Sequence, residues 1–258
     1  MSTQELLEPL KSIAREAGEA IMRVYETGMT QVEIKKDDSP LTRADRESNS
    51  IICSRLEDLP VHYPIFSEES NILPYDERRP YQTCWLVDPL DGTKEFISRN
   101  GEFTVNIALI EDGNPILGVI YVPLTRELYY ATKGEGAFWE KDGSSGAMHV
   151  TEFSMQDNGL KVVCSRSHLD PDTRAFIDRL HHPECVSRGS ALKFIMIAAG
   201  EAQLYPRLAP TMEWDIAAGQ CIVEEAGGFV VDFHTGIPLR YNKESLLNPS
   251  FLAGGRIA

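Results

Sequence analysis

Two carboxylates and a hydroxyl lie within six residues at the end of one apolar segment. The segment is residues 85–93, WLVDPLDGT, and its apolar start predicts a buried strand. Pro89 is expected to end that strand, because proline has no N–H to give a sheet ladder. Asp88 and Asp91 would then lie on a rigid turn, followed by the Thr93 hydroxyl, which could orient a water molecule. The alternative is an Asp-rich turn in which both carboxylates only accept hydrogen bonds from nearby backbone N–H groups.

Further acidic positions could join this pair. Glu68 and Glu69 follow a predicted strand. Because neighbouring strand residues point to opposite faces, only one of the two can share a site with Asp88. Asp215 lies in the first turn of a predicted helix, where N–H groups and the helix dipole favour an acid. Taken singly, the glutamates are better explained as solvated acids and Asp215 as a helix cap.

The acidic elements are more informative together than singly. A fourth one, TRAD at residues 42–45, has the T-x-x-D spacing of a capping-box variant at a helix start. Carboxylate oxygens without accompanying His or Cys are the ligands that Mg²⁺ prefers and zinc does not. Four converging carboxylates could not stay ionised in a cleft without cations. The side chains that would form this cluster are those of Glu68, Asp88, Asp91 and Asp215.

Hydrophobic periodicity predicts the elements that must position these acids in the first half of the chain. Apolar residues at helical spacing over 3–26 predict an amphipathic helix, and a second helix is expected over 43–59. Between them, 32–34 alternates like a short strand, and the charged loop at 35–40 could close over a ligand. A strand at 62–66 follows. An antiparallel meander is then predicted with strands at 103–111, 115–122 and 127–132.

The second half of the chain has a different pattern. Residues 141–146 are rich in Gly and Ser and predict a seam. We therefore expect an α+β half over 1–143 and an α/β half over 144–258, which together form one compact catalytic unit. Strand-like and helix-like segments alternate in the second half, as in an α/β unit. These segments are 160–164, 171–180, 191–199, 202–205, 216–226 and 229–232.

Composition limits the classes of protein that this chain can be. Its 258 residues, of which 42% are hydrophobic, can bury a sizeable core. The net charge of −14 argues against a general grip on DNA or RNA, which needs a basic surface. No apolar run reaches the roughly 18 to 20 residues that span a bilayer, and the N-terminus lacks a secretory pattern. Five dispersed cysteines without a C-x-x-C pair predict buried thiols in a reducing, cytoplasmic compartment.

The acidic motifs and their order resemble those of the lithium-sensitive, magnesium-dependent inositol monophosphatase superfamily. These motifs are SEE at 67–69, DPLDGT at 88–93 and WD at 214–215. Within the superfamily, residues 85–106, GSALKF at 189–194 and QLYPR at 203–207 resemble the CysQ-type 3'(2'),5'-bisphosphate nucleotidases. The similarity covers nearly the whole chain. It implies a layered αβαβα sugar-phosphatase fold, with an N-terminal α+β half and a C-terminal α/β half.

The resemblance also implies a metal site with two or more Mg²⁺ ions. Glu68, Asp88 and the Leu90 backbone carbonyl would hold one ion. Asp88, Asp91 and Asp215 would hold the second. Such ions, about 3.5 to 4 Å apart, clamp the attacking and leaving oxygens of an in-line displacement. Glu68 is thereby implied in catalysis as well as in metal binding.

By the same resemblance, Asp45 and Thr93 pair to orient and deprotonate the attacking water. One carboxylate is not expected to serve fully both in capping and in catalysis, and catalysis is favoured because Thr93 otherwise lacks a partner. Water would attack directly, without a phospho-enzyme intermediate. The implied substrate is adenosine 3',5'-bisphosphate or its sulfated form, which loses its 3'- or 2'-phosphate to give AMP in a reaction linked to sulfate assimilation.

Substrate contacts are expected beside the metal site and on a later helix. Gly92 and Thr93 lead into a helix-like turn at 94–96, whose N–H groups could hold phosphate oxygens. Ser190 and Lys193 are three residues apart, hence on one helix face, and resemble the family's nucleotide-contacting segment. Arg188 is a further candidate cation. The predicted substrate contacts are Glu68, Leu90, Asp91, Gly92, Thr93, Ser190, Lys193, Arg207 and Asp215.

Two other functions stay open at this point. An inositol or sugar monophosphatase would share the whole metal site and differ only in its substrate pocket. An inactive metal-binding or nucleotide-binding relic of the fold would have lost a carboxylate or the water-orienting threonine, whereas this chain keeps them all. We expect a monomer that binds a small nucleotide, with peripheral contact to the inner membrane face left open.

Overall fold

A computed structural model describes residues 2–28, 32–34, 40–164 and 170–258. Within these residues, no helix is both long and apolar enough to cross a membrane. The predicted closing loop at 35–40 lies outside the described residues, except for Pro40, which begins a strand. The helices are α1 (Thr3–Thr27), α2 (Arg43–Glu57), α3 (Tyr75–Arg78), α4 (Thr93–Ile97), α5 (Pro171–Ile177), α6 (Leu192–Ala198) and α7 (Glu213–Glu225).

The strands form two large sheets and two small pairs. The seven-stranded sheet runs in chain order from β3 to β9, and the five-stranded sheet has the order β12-β11-β13-β15-β14. The strands are β1 (Val32–Ile34), β2 (Pro40–Thr42), β3 (Ile65–Ser67), β4 (Thr83–Asp91), β5 (Thr104–Glu111), β6 (Asn114–Val122), β7 (Glu127–Thr132), β8 (Gly136–Lys141), β9 (Ser144–Met148), β10 (Glu152–Phe153), β11 (Lys161–Cys164), β12 (Glu184–Ser187), β13 (Leu204–Arg207), β14 (Phe229–Asp232), β15 (Phe251–Gly254) and β16 (Arg256–Ile257).

The sheets and helices stack in alternating layers. Helices α1 and α2 cover one face of the seven-stranded sheet, and α6 and α7 separate its other face from the five-stranded sheet. Alternation along β4 places Trp85 and Val87 against α1 and α2, while Cys84 and Leu86 belong to the core around α7. Helix α5 packs against β13, on the five-stranded sheet. The predicted layered αβαβα fold is confirmed.

The predicted meander is confirmed in β5, β6 and β7, which pair antiparallel in sequence order. The sheet extends further than predicted, because β8 and β9 add a hairpin at its edge. Residues 141–146, the predicted seam, lie in this hairpin, so the last strand of the first sheet ends at Met148. The division into halves at residue 143 stays a prediction.

Two expectations from the sequence are wrong. Pro89 does not end β4: the strand continues to Asp91 through a bulge, with Asp88 opposite Asn106 and Asp91 opposite Thr104. One extra residue in the bulge leaves a position without a ladder partner, which is where a proline lacking N–H can be accommodated. The thiols are also not all buried, since Cys185 is exposed and Cys53 is partly exposed.

Candidate active site

The β4 bulge separates two carboxylates, Asp88 and Asp91, at one end of the strand. Asp88 is only 2% exposed, and its Oδ1 accepts a hydrogen bond from Leu90 N at 3.1 Å. Ser48 Oγ of α2 donates to the Pro89 carbonyl at 2.7 Å and so fixes the bulge to the helix layer. The chain then turns at Gly92, whose φ of +89° is a conformation that favours glycine. The backbone after Asp88 is therefore fixed by the Asp88 side chain and by Ser48 of α2.

Thr93 and Asp45 meet across this turn. Thr93 Oγ1 donates to Asp45 Oδ1 at 3.1 Å, so the predicted pair is in contact. The capping box also forms, because Asp45 Oδ2 accepts from Thr42 N at 2.7 Å while Thr42 Oγ1 accepts from Ala44 N at 3.1 Å. Burial raises the pKa of the Asp45 carboxyl, and its hydrogen bonds with Thr42 and Thr93 oppose that rise.

Glu68 and Asp215 approach the same place from two other elements. Strand β3 runs parallel to β4, and Glu68 N, just beyond its end, donates to the Val87 carbonyl at 3.1 Å. Asp215 lies in the first turn of α7, and its Oδ2 accepts from Met212 N at 2.8 Å. The expected helix-capping contact of Asp215 is thus present, and it occupies only one of the two carboxylate oxygens.

The electrostatics show that these acids form one cluster. Burial raises the pKa of Asp88 well above its ordinary value, and the charges of Glu68, Asp91 and Asp215 raise it further. Burial, followed by the charge of Asp91, raises the pKa of Asp215 from 3.8 to about 8. The neighbouring charges therefore oppose the ionisation of Asp88 and Asp215, which is the situation that a bound cation relieves.

The type of ligand atom in this cluster fits Mg²⁺ more closely than the arrangement of the side chains does. Among the described residues, no three Asp, Glu, His or Cys side chains stand in a ligand arrangement. Asp88, Asp91 and Asp215 each have one oxygen bound to a protein donor. Like charges repel one another, so the spacing of these carboxylates reflects their repulsion. The hard oxygen donors are therefore the better guide to the identity of the cation. The assignment of individual ligands, including the Leu90 carbonyl, stays a prediction.

A cavity of about 320 Å³ adjoins the acids. Asp91 and Asp215 form part of its wall, and Lys94, Lys193 and Arg207 bring three cations to it. Aromatic rings, including that of Tyr205, complete the lining. The cavity can therefore hold a molecule with both anionic and apolar parts.

Lys193 and Arg207 have different environments in the cavity. Lys193 Nζ donates to the Ser190 carbonyl at 2.7 Å and lies 5.7 Å from the centre of the Tyr205 ring. Burial lowers the pKa of Lys193, and the negative charge of Asp91 opposes that decrease. Arg207 has a buried Nε without a hydrogen-bond partner among the described residues. An anionic ligand would supply the missing acceptor.

Only some of the predicted substrate contacts line this cavity. Glu68, Leu90 and Thr93 are not part of its lining. Arg188 is also outside the lining; its Nη1 donates to the Ser187 carbonyl and lies 3.9 Å from Glu102 Oε1. The contacts that do line the cavity are Asp91, Gly92, Ser190, Lys193, Arg207 and Asp215.

Several residues of the site were not singled out from the sequence. Tyr205 and Asp170 line the cavity, and Asn106 donates to Asp91 Oδ2 at 3.3 Å. Thr104 and Asn106 are two apart on β5 and hence share one face, opposite Asp91 and Asp88. Two polar side chains on one face of an otherwise apolar strand are the signal that could have found them.

Comparison with known proteins decides the family. The model of the inositol monophosphatase family matches residues 2–257. The chain belongs to this family. Members of the family are Mg²⁺-dependent phosphatases. The resemblance seen in the acidic motifs is therefore confirmed over the whole chain.

Relatives within the inositol monophosphatase family are similar along their full length. The 3'(2'),5'-bisphosphate nucleotidase CysQ of Salmonella typhimurium is 46% identical over 249 residues, which cover 95% of this chain and 98% of the relative. The crystal structure of CysQ from Bacteroides thetaiotaomicron has a TM-score of 0.86 and 41% identity, covering 98% of each chain. The suhB protein of Bartonella henselae has a TM-score of 0.79 and 28% identity, covering 97% of this chain and 94% of its own.

Proposed function

We propose that this protein is a Mg²⁺-dependent 3'(2'),5'-bisphosphate nucleotidase that converts adenosine 3',5'-bisphosphate into AMP and phosphate. The observation that carries the proposal is the cavity in which Lys193 and Arg207 stand beside the carboxylate cluster. Hydrolysis of a phosphate monoester needs the metal ions that the carboxylate cluster would hold. A second phosphate on the same molecule needs cations of its own. The similarity to CysQ nucleotidases over almost the whole chain supports the same substrate class.

The carboxylate cluster would hold the metal ions whose positive charge this reaction needs. We assign Glu68, Asp88 and the Leu90 carbonyl to one Mg²⁺, and Asp88, Asp91 and Asp215 to a second. Bound Mg²⁺ would neutralise the phosphate and stabilise the charges that develop on the attacking and leaving oxygens. The remaining work of the chain is to place the substrate and to handle one proton.

Asp45 and Thr93 handle that proton in our proposal. Thr93 Oγ1 donates to Asp45 Oδ1, so the hydroxyl oxygen can accept a hydrogen bond from water and orient it toward the phosphorus. Asp45 is the base that receives the proton, and burial raises its pKa, which makes the carboxylate a stronger base. Water attacks directly, and no protein nucleophile is required.

Substrate recognition is assigned to the cavity. The orphaned Nε of Arg207 and the Lys193 ammonium would bind the 5'-phosphate, which the product retains. The apolar and aromatic part of the lining would contact the nucleoside. An inositol monophosphate carries no second phosphate, so it leaves these cations without an anion. This difference favours the bisphosphate over the monophosphate.

Relative turnover tests the proposal. Phosphate release from adenosine 3',5'-bisphosphate should exceed release from inositol 1-phosphate, each measured at saturating Mg²⁺. A large preference for inositol 1-phosphate would show that the substrate is wrong. The variant Asp91→Asn removes a ligand charge with little change of shape and should abolish phosphate release; full activity in this variant would refute the metal assignment. Inhibition by lithium, expected for the family, is a supporting assay.

A further inference from the structure

Asp91 belongs to a ring of four polar side chains. Ser190 Oγ donates to Asp91 Oδ2 at 2.7 Å, and Asn106 Nδ2 donates to the same oxygen at 3.3 Å. On the far side of the ring, Thr104 Oγ1 donates to Asn106 Oδ1 at 2.8 Å and lies 2.5 Å from Ser190 Oγ. Each hydroxyl has one hydrogen, so this last contact closes the ring without a hydrogen bond of its own when Ser190 donates to Asp91. The ring links β4 and β5 of the seven-stranded sheet to the loop before α6.

We propose that Thr104, Asn106 and Ser190 are positioning residues that fix Asp91 for metal binding. Both donors bind Oδ2, so the second oxygen of Asp91 is the one presented to the metal. A ligand whose other oxygen is immobilised loses less freedom when it binds an ion. The inference rests on the proposed metal site and adds three residues that act on it from outside.

The orientation of Asn106 follows from its two partners. Its Oδ1 faces the Thr104 hydroxyl, so its Nδ2 must face Asp91 and donate to it. Thr104 is 0% and Asn106 1% exposed. Polar groups at such depth are retained only when their hydrogen bonds are satisfied, and here the metal ligand itself satisfies them. The ring therefore holds Asp91 in one rotamer.

The loop that carries Ser190 has a strained backbone and is closely packed. Ser190 has a φ of +53°, which a residue with a side chain rarely adopts. Gly189 N donates to Glu102 Oε2 at 2.8 Å, and a Cβ at Gly189 would lie 2.8 Å from Glu95 Cγ. Local strain of this kind persists only where surrounding contacts compensate for it. The compensated conformation brings the Ser190 hydroxyl onto Asp91.

This role differs from the substrate contact predicted for Ser190. A substrate contact acts on the bound nucleotide, so its loss would raise KM at any Mg²⁺ concentration. A positioning residue acts on the ligand, so its loss would weaken Mg²⁺ binding even when no substrate is present. The two roles are therefore separated by measuring metal binding on the substrate-free protein.

Calorimetric titration of the substrate-free protein with Mg²⁺ is the test. We expect Ser190→Ala and Thr104→Val to raise the dissociation constant for Mg²⁺ about 10- to 100-fold, as loss of an outer hydrogen bond to a metal ligand does. Thr104→Ser keeps the hydroxyl and should retain nearly wild-type affinity. Thr132→Val is the matched control, because the Thr132 hydroxyl is also buried on a strand but has no hydrogen-bond partner among the described residues.

Steady-state kinetics give the second readout. Ser190→Ala and Thr104→Val should lose activity at limiting Mg²⁺ and recover it at excess Mg²⁺. Their KM for adenosine 3',5'-bisphosphate should be unchanged. Unchanged Mg²⁺ affinity in both variants would overturn the proposal, and a raised KM in Ser190→Ala would then make Ser190 a substrate contact. A wild-type protein that bound Mg²⁺ but left the nucleotide intact would refute the proposed function. The Mg²⁺ dissociation constants of the four variants, compared with that of the wild type, would still decide the role of the ring.

Discussion

Thr93 binds the oxygen of Asp45 that does not cap α2. Its Oγ1 donates to Asp45 Oδ1 at 3.1 Å, while Thr42 N and Thr42 Oγ1 donate to Oδ2 at 2.7 and 2.5 Å. The sequence presents capping and chemistry as competing uses of one carboxylate. In the structure the two oxygens divide these contacts, so the cap orients the oxygen that faces Thr93.

The division predicts separable effects of two substitutions. Asp45→Asn should lower kcat about 10²- to 10⁴-fold, because an amide cannot take the proton from water. Thr42→Ala should lower the free energy of unfolding by about 1 kcal/mol through loss of the cap, with a smaller loss of kcat than Asp45→Asn. Urea denaturation and initial rates measure the two quantities.

Ser2→Ala supplies the control for capping alone. Ser2 Oγ accepts from Glu5 N at the start of α1, far from the acidic cluster along the chain. It should cost a similar free energy of unfolding without reducing kcat. A kcat for Asp45→Asn equal to that of Ser2→Ala would rule out Asp45 as the base.

Much of the site was predictable from local sequence. Asp88 and Asp91 follow an apolar strand, Glu68 follows another, and Asp215 lies in the first turn of a helix, each a pattern contained in a few residues. The order of these motifs along the chain identified the family. The long helix α1 was predicted to within one residue, because its apolar spacing continues over many turns.

The features that escaped prediction depend on distant partners. Pro89 stays within β4 because β5 pairs on both sides of the bulge, and no local pattern reveals that register. Strands β9, β12 and β15 are short and weakly patterned, and they become strands by pairing with their neighbours. The contact between Ser190 and Asp91 spans 99 residues, so Ser190 was assigned only to the substrate.

Arg207 should discriminate between substrates with one and two phosphates. Arg207→Met should raise KM for adenosine 3',5'-bisphosphate at least about tenfold, since a charge-assisted hydrogen bond contributes about 1.5 to 3 kcal/mol. KM for adenosine 3'-phosphate, which lacks the 5'-phosphate, should change little. Equal losses on both substrates would place Arg207 at the scissile phosphate. Arg188→Met is the control, since Arg188 lies outside the cavity lining, and should leave both KM values unchanged.

The buried Glu213 makes Lys243 important for stability. Lys243 Nζ lies 2.5 Å from Glu213 Oε1, and the glutamate is 0% exposed, two residues before Asp215. The backbone N–H groups of Asn242 and Lys243 also donate to Glu213. Lys243→Met should therefore lower the free energy of unfolding by about 2 kcal/mol, because a buried carboxylate loses its cation but keeps these donors.

A more exposed ion pair provides the comparison for Lys243. Lys141 Nζ lies 2.9 Å from Glu127 Oε1, with side chains 41% and 29% exposed. Lys141→Met should cost no more than about 1 kcal/mol, since water screens such pairs. Urea denaturation curves of the two variants measure the difference. Equal costs would show that burial of Glu213 does not increase the contribution of Lys243 to stability.

The acidic cluster should make metal-free stability fall as pH rises. Burial and neighbouring charge raise the pKa of Asp215 from 3.8 to about 8, so the folded protein binds more protons than the unfolded chain between these values. The stabilisation from this protonation is complete below the unfolded pKa and is lost as pH rises through the folded one. Thermal melting in the presence of a chelator should therefore show a decreasing Tm from about pH 5 to pH 8.

Mg²⁺ should reverse this trend, because it binds the ionised carboxylates and competes with protons for them. The increase in Tm on adding Mg²⁺ should then be larger at pH 8 than at pH 5. Asp215→Asn removes one of the two carboxyls of the cluster whose pKa is raised, the other being Asp88, so it should make the metal-free profile less steep and reduce the gain from Mg²⁺. An equal Mg²⁺ gain at both pH values would mean that protons and Mg²⁺ do not share the cluster, since competition for the same oxygens requires the gain to grow as the protons leave.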